Sequence, residues 1–230
     1  MSTLSPRNVQ IYGVNVNTEH ADWTRVNDLH YLRSDCAKAY LRMQEAAAVE
    51  GVHMDCASGF RDFAKQHAIW ERKFHQDPRY MALPEAQRVH AILQWSALPG
   101  TSRHHWGSDL DIYDHHAVER HALKLEPWEY EQQGPCNVLY CWLKANAHNF
   151  GFFQPYDRDR GGVAPEPWHW SYAPLANAYL AQFNSSELAL VLAQANISGQ
   201  AVLLAQLDQY VNQYVYNVNQ YNPLLTQSKG

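Results

Sequence analysis

Two separated segments of the chain carry side chains that could together hold a metal ion. Residues 102–111 read Ser-Arg-His-His-Trp-Gly-Ser-Asp-Leu-Asp, and residues 166–169 read Glu-Pro-Trp-His. They supply imidazoles, a carboxylate that can bind a metal, and a further carboxylate at Glu166, three residues before His169. A catalytic zinc site needs three protein ligands, an open position for water and a nearby base. The two segments therefore predict hydrolysis by a metal-activated water molecule.

These motifs resemble those of the zinc D-alanyl-D-alanine carboxypeptidases of the VanY-like type, in the wider group that includes lysostaphin-type peptidases and the hedgehog signalling domain. The first two patterns are Ser-x-His-x-x-Gly-x-x-x-Asp and Glu-x-Trp-His. A third lies upstream, where Ser58-Gly59-Phe60-Arg61 is followed by Gln66, similar to the family's Ser-Gly-Tyr-Arg-x-x-x-x-Gln. The three patterns occur in the family's order, which makes them far more specific than a Ser-x-His motif alone.

The resemblance implies a role for each matching residue. His104, Asp111 and His169 would be the ligands of one zinc ion per chain. Glu166 would be the general base that takes a proton from the attacking water and passes it to the leaving amine. Arg61 would stabilise the oxyanion or hold the substrate. The alternatives without a catalytic role are that the histidines are structural, in a chain that has 13 of them, and that Arg61 forms a surface ion pair.

The expected substrate contacts depend on weaker signals. Gln66 follows Arg61 by about one helical turn, so both side chains can reach one cleft. Ser102 would line the same pocket, or it could equally cap the turn after Gly100. Trp106 and Trp168 are candidate walls of the substrate groove, although tryptophans in such positions are more often part of the core.

The sequence departs from the family pattern at two positions. Phe60 replaces the tyrosine before Arg61, and Asp109 replaces the small apolar residue two positions before Asp111. Neither change removes a ligand. Asp109 nevertheless adds a second carboxylate near the metal, so the motif alone leaves open which aspartate binds it.

Composition and charge exclude several classes of function. The chain has 230 residues and a net charge of -5, without the Lys/Arg stripe that nucleic-acid binding requires. Because peptidoglycan stem peptides are anionic, local cations must attract them, and the candidates are the zinc, Arg61 and Arg103. No apolar run reaches membrane-spanning length, and the first residues lack the apolar region of a secretory signal. We therefore expect a cytoplasmic protein with no membrane partner, whose four cysteines are reduced and mostly buried.

Periodicity predicts an α+β fold: a small antiparallel sheet bearing the zinc site, surrounded by helices, with a C-terminal helical hairpin. Strands are expected at 9–16, 52–58, 108–113 and 168–172, and helices at 34–50, 62–75, 84–98, 138–148, 184–196 and from 198 onward. Side chains alternate along a strand, so Leu110 and Ile112 should face the core while Asp109 and Asp111 face a cleft. We expect a peptidase domain at 1–175 and a helical extension at 176–230 that packs on it and is a candidate homodimer interface.

The predicted function is removal of a terminal D-Ala from peptidoglycan stem peptides. With a cytoplasmic location, the resemblance implies an L,D-carboxypeptidase that acts on tetrapeptides during murein recycling. One alternative is a D,D-carboxypeptidase or dipeptidase acting on D-Ala-D-Ala ends. Another is a zinc-containing binding module like the hedgehog domain, which the presence of Glu166 together with all three ligands disfavours.

Overall fold

The fold is built on a small antiparallel sheet, as the sequence predicts. The computed structural model describes residues 6–221. Its four-stranded sheet has the order β3-β4-β6-β5, and a separate hairpin pairs β1 with β2. The strands are β1 (Trp23–Arg25), β2 (Tyr31–Arg33), β3 (Met54–Ser58), β4 (Asp109–Asp114), β5 (Phe152–Phe153) and β6 (His169–Tyr172).

Helices surround this sheet and also form the C-terminal part of the fold. The α-helices are α1 (Pro6–Ile11), α2 (Ser34–Val49), α3 (Phe63–Gln76), α4 (Pro78–Met81), α5 (Glu85–Leu93), α6 (Asn137–Asn146), α7 (Ala173–Gln182), α8 (Ser185–Gln194), α9 (Gln200–Ala205) and α10 (Leu207–Val211). Short 3-10 turns lie at Arg103–Trp106, Pro127–Tyr130 and Ala147–Phe150, and a π-helical turn lies at Asn212–Tyr216.

The two faces of the sheet have different neighbours, as the alternation along β4 predicts. Leu110, Ile112 and Trp170 lie in a hydrophobic core with buried residues of α2 and α6. The intervening side chains of Asp111 and His169 point to the opposite face. One face of the sheet is therefore held by apolar packing, which leaves the other free to carry polar groups.

The predicted strand at 9–16 is wrong. The chain forms α1 there, and then a turn in which Gly13 has a φ of 73°. Tyr12 explains the difference, because its hydroxyl donates to the carbonyl oxygen of Asn184 at 3.0 Å and its ring packs against Phe183. The segment thus packs against C-terminal helices, and no strand lies beside it to supply ladder hydrogen bonds.

The C-terminal hairpin is more complex than predicted. Its first arm is α8, which Asn184 caps by accepting from the backbone N–H groups of Ser186 and Glu187. The second arm is interrupted at Gln206, whose φ of -128° and ψ of 22° leave helical geometry, so it forms α9, α10 and the π-helical turn. Leu203 before this break and Val211 after it are both buried in the same hydrophobic cluster. Residues 222–230 of the predicted extension lie outside the described part.

The C-terminal helices share a hydrophobic core with the rest of the chain. Buried side chains of α8, α9 and α10 pack in one cluster with Trp70 of α3 and Ile92 of α5. Helix α7 also crosses the predicted boundary at residue 175. We propose that the residues after 175 extend the same domain, because their apolar side chains would lose this cover if the segment detached.

Two further expectations concern cysteines and membranes. Cys36, Cys56 and Cys136 are buried free thiols, and Cys141 is an exposed one. Between residues 6 and 221, no helix has the length and apolar character needed to cross a membrane.

Gly107 provides a test of the turn that leads into β4. Its φ is 68°, and a Cβ there would overlap the Trp23 ring and approach Arg33. Gly107→Ala should therefore combine about 1–2 kcal/mol of left-handed backbone strain with about 1–3 kcal/mol of overpacking. Gly51→Ala is the matched control, because Gly51 has a φ of 77° but nothing within 4 Å of the added Cβ. Urea denaturation should show a clearly larger loss for Gly107→Ala, and equal losses would contradict this account of the turn.

Candidate active site

Strand register brings the predicted metal ligands together. Asp111 on β4 lies directly opposite His169 on β6 and also pairs with Ser58 on β3. His104 comes from the 3-10 turn that immediately precedes β4. Each of the three predicted ligands offers one donor atom, and these atoms all lie within 4.8 Å of one another. All three residues are buried, so they form one compact polar site inside the protein.

Hydrogen bonds fix which nitrogen each histidine directs toward this site. His104 Nδ1 lies 2.8 Å from the carbonyl oxygen of Gly59, so it carries the proton and leaves Nε2 3.4 Å from Asp111 Oδ2. His169 has the opposite arrangement. Its Nε2 lies 3.1 Å from Asp109 Oδ1, which leaves Nδ1 3.2 Å from Asp111 Oδ1. Both free nitrogens therefore face Asp111.

Asp109 lies behind His169 rather than beside His104 and Asp111. Its carboxylate accepts from Arg103 Nε at 2.7 Å and from Ser108 Oγ at 2.6 Å, and the side chain is fully buried. Burial by itself would raise the pKa of Asp109, but Arg103 and His169 outweigh it and hold that pKa well below its usual value. Partners thus already occupy the Asp109 oxygens. A carboxylate that binds the far side of a metal-ligating imidazole fixes its orientation and increases its basicity.

The donor set at Asp111 fits a zinc ion. Asp111 Oδ1 is buried and accepts no hydrogen bond, because the atom that faces it at 3.2 Å is the unprotonated Nδ1 of His169. Two buried lone-pair atoms that face each other in this way favour a cation between them. The two carboxylates beside His169 favour positive charge at this position: although burial lowers the pKa of His169, Asp109 and Asp111 raise it to about 9. Two neutral imidazoles and one carboxylate are a common ligand set for catalytic zinc and leave one position open.

Glu166 lies next to this site on a restrained segment. Its Oε2 is 3.5 Å from His169 Nδ1, and prolines flank it on both sides. The backbone N–H donates to the carbonyl oxygen of Tyr156, and the backbone carbonyl accepts from Gln154 Nε2 at 3.1 Å. Burial raises the pKa of Glu166 to about 7. A carboxyl group with such a pKa can both accept and release a proton near neutral pH.

Arg61 is held at the other side of the site by both its backbone and its side chain. Its guanidinium donates to Gln66 Oε1 at 2.6 Å and to Ser58 Oγ at 3.0 Å. Its backbone N–H donates to the carbonyl oxygen of His104, and its carbonyl oxygen lies 2.6 Å from His105 Nδ1. His105 is fully buried and links Arg61 to the turn before β4.

The structure separates the expected substrate contacts into two groups. Ser102 and Trp168 line the cavity of about 210 Å³ beside the ligands, hereafter the metal cavity, together with Arg61 and Glu166. Gln66 does not line it: this fully buried side chain donates to the carbonyl oxygen of Ala97 at 2.7 Å and supports Arg61 from behind.

Trp106, expected as a groove wall, is instead a core residue. Its indole N–H donates to the carbonyl oxygen of Ile11, and its ring is 1% exposed beneath the Arg103 guanidinium. The turn that directs His104 toward the site directs Trp106 toward the helices. Of the two tryptophans in the motifs, Trp168 therefore lines the cavity and Trp106 does not.

Several residues of the metal cavity lie outside the motifs. Tyr156 places its ring 5.0 Å from that of His169, and Lys73, Trp95 and Leu125 line the cavity farther from the ligands. For Lys73 the sequence did contain a signal, because it lies two helical turns after Gln66 on the same face of α3. Tyr156, Trp95 and Leu125 carry no comparable pattern.

Comparison with known proteins gives an independent indication of the type of site. Residues 29–175 match the family model VanY, described as D-alanyl-D-alanine carboxypeptidase. An uncharacterized protein of Haemophilus influenzae is 37% identical over 121 residues, which are 51% of this chain and 92% of that protein. A D-alanyl-D-alanine carboxypeptidase of Enterococcus faecalis is 32% identical over 137 residues, 58% of this chain but only 45% of that protein.

One solved structure adds a bound metal to the comparison. It is a mutant of the vancomycin resistance D,D-pentapeptidase VanY from a VanB-type resistance cassette, in complex with Zn(II). Its TM-score is 0.53 at 26% identity, and the match covers 70% of this chain and 84% of that one. The region that matches the family model, residues 29–175, contains the four-stranded sheet and all the residues of the metal cavity that the motifs supply.

Metal content provides a direct test of the ligand assignment. We expect near-stoichiometric zinc in the parent protein and a large loss in His104→Ala, His169→Ala and Asp111→Ala. Asp109→Asn should still bind zinc at saturation, but about 10–100-fold more weakly, the usual effect of removing a partner of a ligating histidine. Elemental analysis and titration against a chromogenic chelator measure both effects, with circular dichroism as the control for folding. A greater loss in Asp109→Asn than in Asp111→Ala would identify Asp109 as the ligand.

Proposed function

Because the chain belongs to the VanY family of D-alanyl-D-alanine carboxypeptidases, we propose that it removes the terminal D-Ala from peptidoglycan stem peptides, with one zinc ion held by His104, Asp111 and His169. The observation that carries this proposal is the pairing of Asp111 with His169 across β4 and β6, with Glu166 3.5 Å from the same imidazole. A metal site and a candidate base thereby share one buried cavity. When bound there, zinc supplies a Lewis acid and lowers the pKa of water.

Glu166 is the proposed general base. Its segment is restrained by backbone hydrogen bonds and flanking prolines, so the carboxylate keeps its distance from the ligands. It takes a proton from the attacking water and then transfers it to the amine of the leaving D-Ala. The raised pKa supports this second step, because a carboxyl group with a normal pKa would hold the proton too weakly at neutral pH.

Arg61 and Ser102 are the proposed contacts of the terminal residue. The guanidinium faces the metal cavity and is oriented by Gln66 and Ser58 rather than by a surface acid. It can stabilise negative charge that develops on the scissile carbonyl oxygen or bind the terminal carboxylate. Gln66 acts as a positioning residue, since it holds Arg61 without reaching the cavity.

For the bond that is cleaved, we propose the L,D-linkage of a tetrapeptide. An L,D-site must accommodate the long, charged side chain of a diamino acid directly before the terminal D-Ala, whereas a D,D-site needs room only for a methyl group. The metal cavity continues past Glu166 and Trp168 into a second cavity of about 370 Å³. This outer cleft, lined by Lys73, Trp95, Lys124 and Trp128 among others, offers the required room. Such a specificity suits the recycling of wall fragments, which supplies tetrapeptides to the cytoplasm.

A D,D-carboxypeptidase that acts on pentapeptides is the second candidate. Two of the relatives described above favour it: the D-alanyl-D-alanine carboxypeptidase of Enterococcus faecalis and the VanB-type D,D-pentapeptidase. Both candidates use the same metal cavity and differ in which residue precedes the terminal D-Ala. They can therefore be separated by substrate alone.

Replacement of the base should separate catalysis from metal binding. Glu166→Gln keeps the size of the side chain and removes its basicity, so turnover should fall by about 10²–10⁴-fold. Zinc content and thermal stability should stay close to those of the parent protein, because Glu166 is not among the three ligands. Elemental analysis and D-Ala release measure these quantities. Near-normal turnover with full zinc would place the base elsewhere.

The choice between the two bonds is tested with a tetrapeptide and a pentapeptide of otherwise identical sequence. We expect a higher kcat/KM for conversion of tetrapeptide to tripeptide, because the outer cleft can hold the diamino-acid side chain. Mass spectrometry of the products at equal zinc loading gives both rates. A tenfold preference for the pentapeptide, equivalent to about 1.4 kcal/mol in transition-state binding, would favour the D,D-assignment while leaving the zinc site unaffected.

A further inference from the structure

The structure changes the list of cations that can attract an anionic substrate. The sequence suggested Arg103, but this side chain is 4% exposed and donates to Asp109 at 2.7 Å and to Ser171 Oγ at 2.6 Å. Its charge is therefore already compensated inside the protein. Arg61 lines the metal cavity but not the outer cleft, so we assign it to the terminal residue. Carboxylates farther along the substrate need other partners.

The outer cleft supplies such partners where the rest of the substrate must lie. A carboxypeptidase holds the terminal residue inside the metal cavity, so the preceding residues have to leave through its open side. The outer cleft begins there, because Glu166 and Trp168 line both cavities, as do Lys73, Trp95 and Leu125. The residue directly before the scissile bond is thus the one closest to this cleft.

Two lysines give the outer cleft its positive charge. Lys73 Nζ donates to the carbonyl oxygen of Trp95 at 3.1 Å, which uses one of its three donors. Burial, reinforced by nearby Arg79, lowers the pKa of Lys73 to about 8, so its ammonium would gain from a carboxylate partner. Lys124, from a separate segment, lines the same cleft and is exposed. Arg79 also lines the cleft, but Asp77 already pairs with it at 2.7 Å.

The wall that carries Lys124 is held rigidly. The buried carboxylate of Glu129 accepts from the backbone N–H of Lys124 at 3.0 Å and from that of Glu126 at 2.9 Å. Leu125 lies between these two bonds with a φ of 55°, a conformation that branched apolar residues rarely adopt. Such strain persists only where surrounding contacts impose it, and it is concentrated at functional sites. Here it places Leu125 on the border between the two cavities.

The cleft also contains side chains that can bind a positively charged group of a ligand. Trp95 and Trp128 are 45% and 53% exposed, which is high for tryptophan. The Trp128 indole donates to the Glu126 carboxylate at 2.7 Å, which orients the ring. An ammonium group on a ligand can bind over such a ring or beside this carboxylate. The outer cleft therefore presents cations and an anion with aromatic faces within one cavity.

We propose that the outer cleft binds the side chain of the diamino acid that precedes the terminal D-Ala, and that Lys73 and Lys124 select a side chain ending in both a carboxylate and an ammonium, as in diaminopimelate, over lysine. This inference rests on the proposed carboxypeptidase function and specifies its substrate. The carboxylate pairs with the two lysines, and the ammonium faces Glu126 and Trp128. A lysine side chain would bring its ammonium toward the two lysines without the compensating carboxylate.

The test uses two tetrapeptides that differ only in the third residue, diaminopimelate or lysine. For the parent protein we expect kcat/KM to be at least tenfold higher with the diaminopimelate peptide. In Lys73→Gln/Lys124→Gln this ratio should fall to about twofold or less, and Lys124→Gln alone should give an intermediate ratio. Lys38→Gln is the matched control, because Lys38 is an exposed lysine on α2 that lines neither cavity, and its ratio should equal that of the parent.

Equal rates on the two peptides, a preference for lysine, or an unchanged ratio in both lysine variants would overturn the proposal. The single variant Lys124→Gln keeps the test valid if the double variant does not fold, since Lys124 is exposed. If neither peptide is cleaved, the proposed L,D-specificity fails, and the cleft is then tested by binding of the two tripeptides to the zinc-loaded protein. Tryptophan fluorescence should show tighter binding of the diaminopimelate tripeptide that Lys124→Gln weakens, and equal binding of both would overturn the inference.

Discussion

The register between β4 and β6 is the constraint on which the site depends. Asp111 lies directly opposite His169, and Asp109 lies opposite Ser171, so both carboxylates reach the same imidazole from one strand. Because side chains alternate along a strand, a slip of one residue would turn His169 into the apolar core and replace it with Trp170. The apolar contacts of Leu110, Ile112 and Trp170 on the other face oppose that slip. Packing of one face thus maintains the chemistry of the other.

The side chains that face the metal cavity are each also hydrogen-bonded to a residue that lies away from the cavity. His104 is bound to the carbonyl oxygen of Gly59, His169 to Asp109, and Arg61 to Gln66. Each donor or cation that faces the cavity is therefore held in place before any ligand arrives. This preorganisation reduces the entropic cost of assembling a metal site from segments that are distant in the chain.

The sequence allowed prediction of the motif residues and of the elements that carry them, but not of every side-chain direction. The α+β class, the strand around Asp111 and the helix after Asp62 were all predictable, since alternation and capping are local signals. The sequence predicts Trp106 in the groove because it lies close to His104 along the chain, and Gln66 because it follows Arg61 by about one helical turn. A 3-10 turn and a helix instead direct these two side chains into the interior. Lys124 comes from a separate segment outside every motif, so only the fold could place it on one cleft with Lys73.

The ion pair between Arg103 and Asp109 has a consequence for how the protein matures. Asp109 is the most deeply buried acid behind the ligands, and its countercharge is part of the same chain, 2.7 Å away. Asp109 therefore needs no metal to offset its desolvation, unlike the thiolates of small zinc domains that unfold without their ion. We therefore expect the polypeptide to be able to fold before it binds a metal ion, and to lose that ion without unfolding.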